Sequence, residues 1–226
     1  MSLLKVGWVP VAIVAAALTA APASADERAP ILMMTDTPTD PAKFAWLNDG
    51  ARAALGDAIA QYKAGSLFAF VFAGGPGGDF WAYRSAASDT VPFSIDDLAR
   101  QALQSCEFVR RAPCLIVSVN GNDARDSGGG LPVQPSLLAD QPEEFDPGRV
   151  PFVGMTDQGL LAAYPAEPKA KVFVITVNAG WLWRTGNNIF EAAAKGLTDC
   201  QTTYPGQLCI LYAVNSRVVF EAGGPF

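Results

Sequence analysis

The hydrophobic pattern of the chain changes period several times, and the changes come in the same order twice. "SLFAFVFAGG" at 66–75 is an aromatic and apolar run closed by glycines, which predicts a buried strand and a turn. "WAYR" at 81–84 continues as a second strand. "SIDDLARQALQSC" at 94–106 then shifts to helical spacing, with Ile95, Leu98, Ala99, Ala102 and Leu103 on one stripe. Ser94 is placed to cap that helix, and Asp96 and Asp97 fall in its first turn, where carboxylates complement the helix dipole. "CLIVSVNG" at 114–121 closes the series as a strand.

The same order returns as "KVFVITVNAG" at 171–180, "WLWR" at 181–184, "NIFEAAAKGLTDC" at 188–200 and "CILYAVNS" at 209–216. Ile189, Phe190, Ala193 and Leu197 form the second helical stripe, behind Asn187 or Asn188 as cap. Each series opens on Asp-Pro, "DPAKFAWLNDG" at 40–50 and "DPGRVPFVGMTDQG" at 146–159, followed by a stretch that holds Tyr62 or Tyr164. The offset falls from 106 at the openings to 94–95 at the ends, so the length differences sit in loops. Ordered agreement of this kind predicts an internal duplication. The fold expected is α+β: two tandem ββαβ modules, with mostly antiparallel sheets and helices on one face.

The segments divide accordingly. Residues 1–25 read as a signal peptide: Lys5 is the positive start, 11–18 is apolar, and Ala23-Ser24-Ala25 is a cleavage site before Asp26. The apolar run is interrupted at Pro10 and falls short of the ~20 residues a bilayer span needs. No transmembrane segment is therefore expected once the signal is removed. Residues 26–39 read as an extended lead-in, 40–121 as the first module, 122–145 as a Gly/Pro/acidic linker and 146–226 as the second module. A leader of this kind predicts a periplasmic or secreted protein.

Charge and composition narrow the chemistry. The 226 residues carry a net charge of -6, and loss of Lys5 with the leader takes it to -7. A chain this acidic lacks the basic stripe that neutralises phosphates, so nucleic acid is not an expected partner. There is no histidine. Ser-His-Asp and Cys-His nucleophile systems and imidazole-ligated metals are thereby excluded.

Four cysteines permit three pairings. The duplication selects Cys106 with Cys114 and Cys200 with Cys209, each tying a helix end to the next strand. Their spacing is wider than the close pairs of a zinc site. Cys106 and Cys200 also stand at helix C-termini, where the dipole disfavours a thiolate. Structural disulfides are expected, with no metal and no cofactor. "GGPGG" at 74–78 lacks the Lys-Ser/Thr that follows in a phosphate-binding loop and reads as a hairpin turn. The acids of "DQPEEFDP" at 140–147 lack the ligand spacing of a calcium loop.

The best candidate surface is the paired hairpin. Trp81, Tyr83 and Arg84 match Trp181, Trp183 and Arg184. On a strand the two aromatics share one face and the arginine takes the other. They form either an aromatic platform with an arginine for a carboxylate, or one core aromatic per module with the arginine at its rim.

The second series, "RVPFV", "KVFVITVNAGWLWRTG", "EAAAKGLTDC" and "CILYAVNSRVVF", resembles a repeat of secreted or periplasmic alphaproteobacterial proteins grouped as domains of unknown function. The resemblance covers nearly all of 146–220, and 40–121 more weakly through "LARQALQSC" and "CLIVSVNG". It implies an exported protein with no established activity. The expectation is a non-enzymatic binding or envelope-accessory protein, its partner an envelope protein or a small ligand. The alternative is a carboxylate-based hydrolase or transferase with a site between the modules. The intact mass of protein recovered after export is expected to begin at Asp26, and retention of Met1 would overturn the leader.

Overall fold

Asp40 and Asp146 each precede a proline, and each carboxylate accepts a hydrogen bond from the amide two residues on, Ala42 at 3.0 Å and Gly148 at 2.9 Å. Both begin a short 3-10 turn, Pro41–Lys43 and Pro147–Arg149. The computed structural model describes residues 35–75, 77–87, 93–124, 138 and 141–221. The expected signal peptide, residues 26–34 of the lead-in and most of the linker lie outside them.

From each Asp-Pro turn the same path follows. In the first module it runs through α1 (Asp49–Lys63), β1 (Ala69–Gly74), β2 (Trp81–Ala86), α2 (Ile95–Arg110), β3 (Leu115–Val119) and β4 (Asn122–Asp123). In the second it runs through α3 (Met155–Leu161), β5 (Lys171–Thr176), β6 (Trp181–Thr185), α4 (Ile189–Thr203), β7 (Cys209–Val214) and β8 (Arg217–Val218). Asn48, Ser94 and Asn188 cap their helices through side-chain oxygens that accept from the third amide onward.

The result is an α+β protein of two similar tandem modules. Each holds a four-stranded antiparallel sheet, in the orders β2-β1-β3-β4 and β6-β5-β7-β8. The registers agree in detail: Val71 pairs with Arg84 and Val119, and Val172 pairs with Arg184 and Val214. Both central strands shift register at the same place, between Phe72 and Ala73 and between Phe173 and Val174. After the third strand of each sheet, Asn120 and Asn215 adopt φ 52°. Their side chains accept from the amides of Phe70 at 2.8 Å and Lys171 at 3.3 Å. Asparagine tolerates this left-handed conformation better than most residues.

The short fourth strands were not visible in the pattern, because two residues carry no periodicity. They extend the modules into both flanking segments. Asn122–Asp123 of the expected linker is sheet, and Pro38 of the expected lead-in bridges to it. In the second module Glu144 bridges to Arg217, and the Val218 amide donates to Glu143. Leu138, from the middle of the expected linker, is buried in the second module's core.

Strand alternation sends β1 to two cores. Ala69, Val71 and Ala73 meet Leu98, Ala99, Ala102 and Leu103 of α2. Phe70 and Phe72 meet Leu55, Ala58 and Ile59 of α1. The helix of each ββαβ unit thus lies on one face of its sheet, as the pattern predicts, and the opposite face is closed as well. In the second module α4 lies against Val172 and Val174, so closely that a Cβ on Gly196 would come within 2.9 Å of Val172 Cγ2. The opposite face, Phe173 and Ile175, is covered by Phe145, Phe152, Tyr164 and Phe220.

Disulfides Cys106–Cys114 and Cys200–Cys209 join the helix ends to the following strands, each with its Cα atoms 6.1 Å apart. No helix among the described residues is long and apolar enough to cross a membrane. The disulfide loops are short, so replacing Cys200 and Cys209 together by alanine is expected to cost about 2–3 kcal/mol. Urea unfolding checks this, and an unchanged midpoint would refute it.

Candidate functional site

The arginines and aromatics of the two hairpins part company, as alternation requires. On β2, Ala82 and Arg84 face α2, while Trp81 and Tyr83 face the side of α1. Arg84 donates through Nη1 to the Tyr83 carbonyl at 2.9 Å, and through Nη2 to Ser105 Oγ and to the Val177 carbonyl of the second module. Burial pushes its pKa down to about 10, so it stays charged at neutral pH. Its Nε is buried without a partner. Arg184 holds the equivalent position but pairs with Asp199 within its own module. Arg84 is therefore a tie between modules, and Arg184 a half-exposed ion pair.

Arg84 is one member of a polar seam. The outward side of α2 carries Asp97, Gln101, Gln104 and Ser105, all buried although polar. Asp97 Oδ2 accepts from the Met155 amide at 2.9 Å, and Gln104 Oε1 from the Phe152 amide at 2.9 Å. Arg100 Nη2 donates to the Val153 carbonyl at 2.6 Å, and Ser105 Oγ to the Val177 carbonyl at 3.0 Å. One turn further on, Phe108 enters the second module's core against Phe152 at 5.6 Å and Phe220 at 6.1 Å. Asp97, the acid a site between the modules would draw on, is committed to Arg100, Gln101 and the Met155 amide.

The aromatics form two ladders. Trp81 stacks on Phe72 at 5.5 Å and on Tyr83 at 6.5 Å, with planes within 13°. Trp181 stacks on Phe173 at 6.2 Å and on Trp183 at 5.6 Å. The second ladder is covered. Tyr164 lies over Trp183, the Trp181 indole donates to Asp157 Oδ2 at 3.1 Å, and the Trp181 amide donates to the Tyr204 hydroxyl. The first ladder ends openly: Trp81 is 38% exposed on β2, an edge strand. Opposite it, Gly74 carries no side chain, and a Cβ there would stand 3.4 Å from the Trp46 ring. Trp46 thus joins Trp81 at one end of the first module.

The structure brings Trp81 together with Tyr83 and Trp181 with Trp183, but it places neither arginine beside its own aromatics. Trp46 and the seam residues Gln101, Gln104 and Ser105 carry no signal of their own in the sequence, and Asp97 reads there only as a first-turn acid of the helix. Phe108, an aromatic at the end of an otherwise polar stripe, is the signal that marks that stripe as buried. Among the described residues, no three His, Cys, Asp or Glu side chains cluster to hold a metal ion.

Fold and site together define a class: an α+β protein of two modules, each with a disulfide, joined through a polar seam and bearing one open aromatic end. No family model, curated protein or solved structure matches the chain.

Replacing Arg84 by methionine is expected to lower stability by about 2–4 kcal/mol, because it removes the charged donor shared by Ser105 and the half-buried Val177 carbonyl and leaves that carbonyl the Ser105 hydroxyl alone. The same change at Arg184 should cost under about 1 kcal/mol. Chemical unfolding of both variants checks this, and equal losses would contradict the assignment.

Proposed function

We propose that the chain is an exported, non-enzymatic binding protein of the cell envelope, and that the Trp46–Trp81 end of its first module receives a protein partner. The carrying observation is the contrast between the ladders. Trp81 is 38% exposed on an edge strand, whereas the matching aromatics of the second module are roofed by Tyr164 and tied to Asp157 and Tyr204. An exposed tryptophan at the end of an ordered stack is the kind of anchor on which protein interfaces concentrate their energy.

Export is supported by the leader-like residues 1–25 and by two disulfides, which persist in oxidising compartments such as the periplasm or the extracellular space. The matched registers support descent of the two modules from one duplicated unit.

A photo-crosslinking residue at position 81 is expected to capture a discrete partner in intact cells, and one at position 63, at the far end of α1, to capture none. With the crosslinking residue moved to the neighbouring exposed position 80, Trp81→Ala should weaken the capture about ten- to a hundredfold. Equal labelling from both positions, or none from 81, would overturn the proposal.

A further inference from the structure

The module junction joins two different surfaces of two similar units. The giving surface is the outward side of α2; the receiving surface is the opening of the second module, Phe152 to Met155, with the turn after β5. A contact between unlike faces of like units leaves one of each unused, at opposite ends of the pair.

The unused giving face is on α4. Matching the caps Ser94 and Asn188 and the cysteines Cys106 and Cys200 puts Glu191 at the place of Asp97, Lys195 at Gln101, Thr198 at Gln104, Asp199 at Ser105 and Thr202 at Phe108. In α2 these positions are buried, whereas Glu191, Lys195, Thr198 and Thr202 are exposed. The unused receiving face is the opening of the first module. There Trp46 and Asp49 stand where Phe152 and Met155 stand, and Trp81 stands where Trp181 does.

We propose that the chain binds a second copy of itself head to tail, with the outward side of α4 seated on the Trp46–Trp81 end of the next copy. This rests on the reading of that end as a docking surface and names its partner. Three features of the two faces fit. Arg184 repeats the posture of Arg84, with Nη1 donating to the preceding carbonyl in both, at 2.7 Å and 2.9 Å. Arg84 Nη2 reaches the turn of the neighbouring module; Arg184 Nη2 has no partner among the described residues and lies on a side chain 35% exposed. Lys195 would face Asp49, whose side chain is 97% exposed and pairs with Arg52 on the same helix, so opposite charges meet where the junction has the neutral Gln101. Glu191, whose Oε2 accepts from Asn187, keeps a carboxylate at the place where Asp97 turns toward a helix start, here that of α1. The face of α4 is more charged than that of α2, so the association is expected to be reversible and to weaken as salt rises.

Sedimentation of the exported chain should show a mass that grows with protein concentration. Trp81→Glu blocks one end and Thr198→Arg with Thr202→Arg blocks the other; each should weaken association by at least about tenfold. Mixed together, the two blocked chains should form a one-to-one pair, because each keeps the end the other lacks. Lys195→Glu and Asp49→Lys, both at exposed positions, provide a second set that spares the core, and their mixture should regain association. A wild-type chain that stays monomeric at all concentrations, variants that associate unchanged, or mixtures that fail to pair would each refute the proposal. Monomeric behaviour combined with capture of a different protein from position 81 would remove self-association alone and leave the docking surface standing.

Discussion

The structure depends on the burial of both long sides of one helix. The apolar side of α2 closes the sheet of the first module, as any amphipathic helix would. Its polar side is removed from water as well, which is tolerable only because Asp97, Arg100, Gln104 and Ser105 find backbone partners in the second module and Gln101 donates to Asp97. A buried polar group left without one would cost about 1–3 kcal/mol. Apolar contact alone would let the modules slide, since it is non-directional. The amides of Phe152 and Met155 and the carbonyls of Val153 and Val177 meet particular side chains of α2 and so set a single relative position. Arg84 completes the set. Its desolvation is unfavourable, and its bonds across the seam are what offset it.

That seam depends in turn on α2 being held firmly within its own module. Ser94 fixes the start of the helix and the Cys106–Cys114 bond fixes its end to the sheet. Modules of this size bury thin cores, and covalent staples at helix ends limit the fraying that would open them. The second module repeats both devices on α4, although nothing among the described residues covers that helix from outside.

What could be read from the sequence was what carries a period or a count. The strands around Phe70 and Phe173 and the helices behind Ser94 and Asn188 followed from spacing, and the cysteine pairing from the duplication. The two-residue strands after Asn120 and Asn215 did not, because pairing between backbone groups leaves no mark on residue choice. The seam was hidden for a different reason. Asp97, Gln101 and Gln104 look like a solvated helix face, and only the partner backbone, far away in the chain, makes them an interior. For the candidate surface, the sequence put Trp81 and Tyr83 on one side of β2 and Arg84 on the other. Which ladder stays open depends on Tyr164, Asp157 and Trp46, whose packing no local pattern reports.

The two modules differ most in how they close the sheet face opposite the repeat's own helix, and Lys171 accounts for much of that difference. It stands where the first module has Phe70: each is tied to its sheet's turn-forming asparagine by the same pair of hydrogen bonds. Phe70 packs under the 15-residue α1, with Tyr62 edge-on at 5.8 Å. Lys171 cannot be covered that way, because a buried ammonium needs acceptors for its three protons. It finds them in the carbonyls of Tyr164, Pro165 and Glu167, with the Tyr164 ring 4.9 Å away. Burial still holds its pKa below the ordinary lysine value. Those three bonds pin the chain after the seven-residue α3 down onto the sheet and draw Tyr164 across Trp183. The second ladder is thereby roofed by its own module. The first has a helix for a roof, which reaches Phe70 and Phe72 but leaves Trp81 in solvent. One residue exchanged between like positions thus goes with the difference between a module whose aromatic ladder is roofed by its own chain and one whose end residue Trp81 stays partly exposed.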